Sequence, residues 1–71
     1  MTNEVSKTMT ENADYKEAAE AAAEAERNNR WKTAAALWMN AYFQARKDLN
    51  ANWANNRSEY CIKRYKEARH A

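Results

Sequence analysis

The sequence predicts an all-α protein of three helices, and three observations lead to that fold class. The 71 residues include no glycine and no proline, the two residue types that most disfavour a helix interior. Apolar residues recur at steps of three and four, the spacing that places them on one face of a helix. Two asparagine-rich stretches, residues 28–29 and 48–52, divide the chain into three such segments. The predicted architecture is an N-terminal helical hairpin with a third helix packed against it.

The first helix is predicted over about residues 14–27. Asp14 and Glu17 have the spacing of a capping box, and Asn12 is a second candidate for the N-cap. The glutamates of this helix, Glu26 included, are expected to cover its solvated face. Residues 1–11 are expected to form a flexible polar tail. The apolar face combines one aromatic residue with small ones: Tyr15, Ala18, Ala19, Ala22 and Ala25.

The second helix is predicted over about residues 31–47. Asn29 can end the first helix because asparagine tolerates the left-handed conformation that glycine usually supplies there. Leu37, Met39 and Phe43 lie off the main apolar face, so apolar groups surround most of this helix. Such a distribution predicts a central helix that is contacted from two sides. The main face contains Trp31, Ala34, Ala35, Trp38, Ala41, Tyr42 and Ala45.

The third helix is predicted over about residues 52–69, with Asn50 or Asn52 as its cap. An aromatic row that also contains Arg57 follows at helical steps. Arg57 is predicted to bury its aliphatic stem while its guanidinium meets an acid or the face of a ring. Residues 12–71 are therefore expected to form a single helical domain.

The first two helices resemble one tetratricopeptide-type hairpin, in which antiparallel helices cross at small residues and large side chains fill the space beside the crossing. The departure from that pattern is Asn29, where such repeats usually carry glycine. One unit cannot cover its own apolar face, so the third helix or another molecule must do so. The expected core is Tyr15, Ala18, Ala22, Trp31, Ala34, Trp38, Ala41, Tyr60 and Cys61.

Bulky apolar side chains are scarce, because alanine supplies half of the hydrophobic fraction of 45%. A single core in so short a chain rarely supplies more than about 3–5 kcal/mol. We therefore expect a homodimer that forms through the outer sides of the second and third helices.

The charge is distributed unevenly, since residues 1–30 carry seven acids and four bases, whereas residues 31–71 carry three acids and eight bases. Either the acidic first helix faces the basic last helix, or a basic face binds DNA or an acidic partner. The amino-terminal stretch MTNEVSKTMT lacks the apolar run of a signal peptide. No stretch approaches the roughly 20 apolar residues of a membrane helix. A cytoplasmic protein without membrane association is expected.

The residues needed for catalysis or metal binding are sparse. Cys61 and His70 are the single residues of their types, whereas a structural zinc ion takes four ligands. Cys61 is interpreted as a small buried hydrophobe, with a redox-sensing thiol as the alternative. A chain without glycine lacks the usual phosphate-cradling loop. The sequence therefore predicts no enzyme activity, no small-molecule substrate, no cofactor and no metal site.

A partner-binding corner is predicted where the second helix gives way to the third. Its residues are apolar anchors flanked by guanidinium groups, the composition expected at the centre of an interface. The alternative is that Trp53 and Arg57 simply close the core. The residues of the corner are Phe43, Arg46, Leu49, Trp53 and Arg57.

The stretch DYKEAAEAAAEAERNNRWKTAAALWMNAYFQAR, followed by NANWANNRSEYC, resembles the AraC negative regulator family of enterobacteria and their phages. The resemblance spans about residues 12–61 and rests on the order of its alanine, Leu37-Trp38, Ala45-Arg46 and Asn52-Trp53 elements. It implies a negative regulator of transcription that binds an AraC-type virulence activator and blocks its dimerisation or DNA binding. It also implies the nucleoid protein H-NS as a further partner.

A small DNA-binding protein is the alternative function, because the third helix is modestly basic. Asparagine and serine side chains near its start resemble the polar residues that read base edges. The aromatic row on the same helix and the low net charge of +2 argue against this alternative. The bases of the helix are Arg57, Lys63, Arg64, Lys66 and Arg69.

Overall fold

A computed structural model describes residues 12–70, apart from the side chain of His70. Three helices follow one another: α1 (Ala13–Arg27), α2 (Trp31–Gln44) and α3 (Asp48–His70). No strand occurs in this part of the chain, which confirms the all-α, three-helix class. The polar tail expected over residues 1–11 lies outside the described residues, as does Ala71.

The N-cap of α1 is Asn12, the second of the two candidates, and Asp14 instead lies within the first turn. The Asn12 side-chain oxygen accepts the backbone N–H of Tyr15 at 2.7 Å, which satisfies one of the free amides at the helix start. The Nδ2 group of Asn12 also donates to the carbonyl of Gln44 at 2.8 Å. One side chain therefore caps α1 and ties its start to the end of α2.

The turn from α1 into α2 closes as a Schellman motif built on asparagine. Asn29 has a φ of 59°, the left-handed conformation for which glycine is the usual residue. Its backbone N–H donates to the carbonyl of Glu26 at 2.9 Å, and that of Arg30 donates to the carbonyl of Ala25 at 2.8 Å. The expectation that Asn29 replaces glycine at this turn is confirmed.

The connection between α2 and α3 is shorter and earlier than the sequence predicts. Helix α2 ends at Gln44 rather than near residue 47, because Ala45 turns to an extended conformation with ψ of 136°. Helix α3 begins at Asp48 rather than near residue 52, with this acid in its first turn. An acid is stabilising there because it complements the helix dipole. Asn50 and Asn52 lie inside the helix, so the prediction that one of them caps it is wrong.

Helix α2 is the central element, and α1 and α3 each pack against it. Successive contacts between α2 and α3 move forward along α3 and backward along α2. Near the middle of α3, the Ser58 hydroxyl donates to the carbonyl of Ala35 at 3.0 Å, and further along α3 the Tyr60 ring meets the edge of Trp31 at 6.1 Å. An antiparallel order, α1–α2–α3, follows, and the prediction of a central helix contacted from two sides is confirmed.

The core is made mainly of small side chains. Ala22, Ala34, Ala41 and Ala54 are fully buried, and the Trp38 ring is 5% exposed beside them. Small residues allow helix backbones to approach closely, and the large Trp38 ring fills space that remains beside them. The buried apolar residues are Tyr15, Ala18, Ala22, Ala25, Ala34, Ala35, Trp38, Ala41, Ala54 and Cys61.

Two residues of the expected core are placed differently. Trp31 is half-buried and packs against the rim of the core. Tyr60 is 38% exposed, so its assignment to the core is wrong. The buried stripe of α3 runs through Ala54, Ser58 and Cys61, and Tyr60 lies one position off that stripe.

Changing the buried face of α2 should destabilise the protein. Because Ala34 is fully buried, Ala34→Leu should overpack the contact and cost about 1–3 kcal/mol. Trp38→Ala should cost about 3–5 kcal/mol, since it removes the largest buried ring. Urea unfolding followed by circular dichroism measures both changes.

Ala36→Leu is the matched control, because Ala36 is exposed on the same helix. Its effect should stay within about 0.5 kcal/mol. Equal stability of the Ala34 and Ala36 variants would contradict the packing described above.

Candidate protein-binding site

Three large apolar side chains are exposed around the α2–α3 connection. Leu49 is 78% exposed, Phe43 75% and Trp53 53%. Phe43 lies in the last turn of α2, while Leu49 and Trp53 lie in the first two turns of α3. We call these three residues the connection surface. Exposed apolar side chains that cluster at one place commonly mark an interaction site.

Helical geometry explains why these residues face solvent. The buried residues of α2 fall on the stripe of Ala34, Trp38 and Ala41, and Phe43 lies well away from it. Its ring is supported from the side by Tyr42, at 5.1 Å between centroids and an interplanar angle of 73°. Leu49 and Trp53 are four residues apart and therefore neighbours on one face of α3.

The two arginines of the predicted corner differ in their surroundings. Arg46 lies exposed in the connection itself. Arg57 instead directs its guanidinium at Glu26 of α1, and its side chain is only 28% exposed. Trp53 and Arg57 of the corner therefore differ, because the Trp53 side chain is exposed whereas Arg57 covers the core and pairs with Glu26. The prediction that the Arg57 guanidinium meets an acid is confirmed.

The carboxylate of Glu26 joins all three helices. Its Oε2 accepts the Trp38 indole N–H at 2.5 Å and the Arg57 Nε–H at 3.2 Å, and its Oε1 accepts a second bond from Arg57. Glu26 belongs to α1, Trp38 to α2 and Arg57 to α3. With its side chain 14% exposed, Glu26 is not on the solvated face where the sequence placed it. The expectation for this glutamate is therefore wrong.

The charges of this network are strongly stabilised. Burial alone would raise the pKa of Glu26, but the hydrogen bonds from Arg57 and Trp38 outweigh it and hold the pKa below its ordinary value. The hydrogen bond to Glu26 raises the pKa of Arg57. Both groups are thus ionised at neutral pH, as a bidentate pair requires.

Cys61 lies beside this network and is fully buried. Burial first, and then the Glu26 carboxylate, raise the pKa of the Cys61 thiol to about 11. Because the reactive species is the thiolate, a protonated buried thiol is inert at neutral pH. The surroundings of Cys61 favour its interpretation as a small buried hydrophobe.

Arginine and aromatic side chains alternate along the exposed side of α3. The Arg57 guanidinium carbon lies 4.3 Å from the Tyr60 centroid and 5.7 Å from that of Trp53. Arg64 lies 4.8 Å from the Trp31 centroid and donates to the Tyr60 hydroxyl at 3.1 Å. Such contacts restrict the orientation of the rings, including that of Trp53.

Within residues 12–70, no group of three or more potential metal ligands comes together. No helix in the same part of the chain is both long and apolar enough to cross a membrane.

Comparisons with models of known protein families, with curated proteins and with solved structures find no match to this chain.

Neutralising Glu26 should destabilise the protein in a pH-dependent way. At pH 7, Glu26→Gln should cost about 1–3 kcal/mol, because it weakens hydrogen bonds to a charged group. The folded-state pKa of Glu26 lies below the ordinary value of 4.5, so the stabilisation is complete above that pH. It is lost as the pH falls through the folded-state value. Urea unfolding of both proteins from pH 7 to pH 3 should show the difference shrinking below about pH 4.5.

Glu24→Gln is the control, because Glu24 is an exposed glutamate of the same helix. It should change the stability by less than about 0.5 kcal/mol at any pH. A pH-independent loss in Glu26→Gln would mean that its carboxylate charge is not the stabilising element.

Proposed function

We propose that this chain is a cytoplasmic, non-enzymatic regulator that binds an AraC-type transcriptional activator through the connection surface. By occupying the activator it blocks dimerisation or DNA binding, and transcription falls. The observation that supports this proposal best is the exposure of Phe43 and Leu49, on a protein whose core consists largely of alanine. The largest apolar groups at this end are thus available to a partner.

The chemistry of the connection surface suits a protein partner. Burying apolar surface contributes about 25 cal/mol per Å² to binding. Two large exposed side chains therefore provide more binding free energy, when a partner buries them, than a small side chain such as alanine would. Aromatic residues and arginine are also enriched among the residues that dominate interface energies. Arg46 lies exposed beside the three apolar residues and suits an acidic group at the rim. The AraC-type activator itself is suggested by the family resemblance, which also makes H-NS a second protein partner to test.

DNA binding through α3 is the second candidate function. Lys63 and Lys66 are exposed on this helix, which favours contact with phosphates. In contrast, the guanidinium groups of Arg57 and Arg64 lie over aromatic rings of the protein itself. Fewer side chains are then available to read bases, and the protein-binding function is preferred.

Removing the apolar anchors should abolish partner binding without unfolding the protein. The double variant Phe43→Ser and Leu49→Ser should weaken binding to an AraC-type activator by about 2–4 kcal/mol, because both side chains are anchors of the proposed interface. Its helicity should be unchanged, since neither residue belongs to the core. Calorimetric titration and circular dichroism measure the two quantities.

Ile62→Ser is the matched control, because Ile62 is 41% exposed but lies further along α3. It should bind the activator as the unmodified chain does. If the double variant binds normally, the connection surface is not the site, and the exposed acidic face of α1 around Glu17, Glu20 and Glu24 is tested next. A sequence-specific gel shift with DNA alone, at about 0.15 M salt, would favour the second candidate.

We further propose that the chain forms a homodimer through the outer sides of α2 and α3. Tyr42 and Tyr60 are large side chains that are partly exposed on these two helices, and burying their rings between two copies is favourable. Sedimentation at micromolar concentration should give twice the chain mass of 8.3 kDa. A single monomeric species throughout a dilution series would contradict this proposal.

A further inference from the structure

A cavity of about 300 Å³ lies at the opposite end of the molecule from the connection surface. The turn between α1 and α2, the first turn of α2 and the last turns of α3 form its walls. This volume is at the lower limit of small-ligand sites, which hold about 300–1,000 Å³. The cavity therefore has room for a compact ligand.

Positive charge dominates the lining. Arg30, Lys32 and Arg69 all line the cavity, and none of the acidic residues in the described part of the chain does. Two of the three cations approach one ring, since the Lys32 ammonium lies 5.9 Å and the Arg69 guanidinium 5.6 Å from the centroid of Tyr65. Like charges that line one cavity repel one another, and a bound anion would offset that repulsion.

These cations differ from the arginines elsewhere on α3. Arg57 is paired with Glu26, and Arg64 lies 3.8 Å from a carboxylate oxygen of Glu67. Within the part of the chain that the structure describes, Arg30, Lys32 and Arg69 have no carboxylate within ion-pairing distance. Among the described residues, three cations without a carboxylate partner therefore line one cavity.

We propose that this cavity binds a small compound bearing adjacent phosphoryl groups. Arginine and lysine are the usual partners of such groups, and a compact multiple negative charge complements three cations that line one cavity better than a single carboxylate does. Thr33 in the lining can add a hydroxyl donor, and Trp31 and Tyr65 supply the aromatic part of the wall. The site is separate from the connection surface and does not depend on partner binding there.

Inorganic pyrophosphate is the first probe and ATP the second, titrated calorimetrically into the full chain at about 0.15 M salt. Saturable binding with one site per chain is expected. The double variant Lys32→Gln and Arg69→Gln should weaken it about tenfold or more, because two charge-assisted contacts are lost. Circular dichroism should show unchanged helicity, since both side chains are exposed.

Lys16→Gln with Lys47→Gln is the matched control, because it removes the same charge at the other end of the molecule, outside the cavity. The control should bind pyrophosphate within about twofold of the unmodified chain, since distant exposed charges are screened by salt. Equal weakening of pyrophosphate binding in both double variants would show that only the net charge matters, and it would overturn the proposal. The absence of saturable binding would also overturn it. Binding of duplex DNA that depends on Lys32 and Arg69, without pyrophosphate or ATP binding, would assign the cavity to a nucleic-acid surface instead.

The Phe43→Ser and Leu49→Ser variant should bind pyrophosphate normally, because these residues lie at the other end of the molecule. Loss of pyrophosphate binding in this variant would contradict the proposed separation of the two sites.

Discussion

The hydrogen-bonded carboxylate of Glu26 is the interaction on which the arrangement of the three helices depends. It accepts bonds from Trp38 and Arg57, so one group of α1 fixes the orientation of a side chain in each of the other helices. Removing it would leave a half-buried guanidinium without its acid and an indole N–H without its acceptor, and unpaired groups of this kind are costly. The stack of Arg57 on Tyr60 and Trp53 extends this order to the surface. The interior network thereby also positions one residue of the proposed partner site.

Two kinds of surface are separated along the length of the molecule. The connection surface is apolar and lies where α3 begins, whereas the basic cavity lies where α3 ends. A helix of 23 residues is about 34 Å long, so the two sites are more than a Debye length apart. The charges of the cavity therefore contribute little to the affinity at the apolar end. The two proposed sites are far enough apart for both ligands to be accommodated at once.

Local rules predicted much of the fold, and tertiary contacts account for the errors. Asn29 and the stripe from Ala18 to Ala41 follow from propensity and spacing, which depend on neighbours in the chain. Glu26 was misplaced because a glutamate is ordinarily solvated, although its position four residues after buried Ala22 was a signal. The start of α3 was missed because the asparagines after Asp48 resembled caps, whereas the helix begins at Asp48, an acid that the helix dipole stabilises in the first turn. The exposure of Phe43 and Leu49 was anticipated from their positions off the main helical face. The cavity was not anticipated, since it joins the turn after α1 to the end of α3, and no local pattern relates these segments.

The alanine-rich interior changes the entropy of folding as well as its packing. A buried leucine or methionine loses rotamer freedom worth about 0.5–2 kcal/mol, whereas alanine has none to lose. Ala22, Ala34, Ala41 and Ala54 therefore bring helices together without any loss of side-chain freedom. The burial of each alanine contributes little free energy, but no loss of side-chain entropy offsets that contribution. The order of the interior then resides in the backbones and in the Trp38 ring, which leaves few side-chain motions available to the folded core.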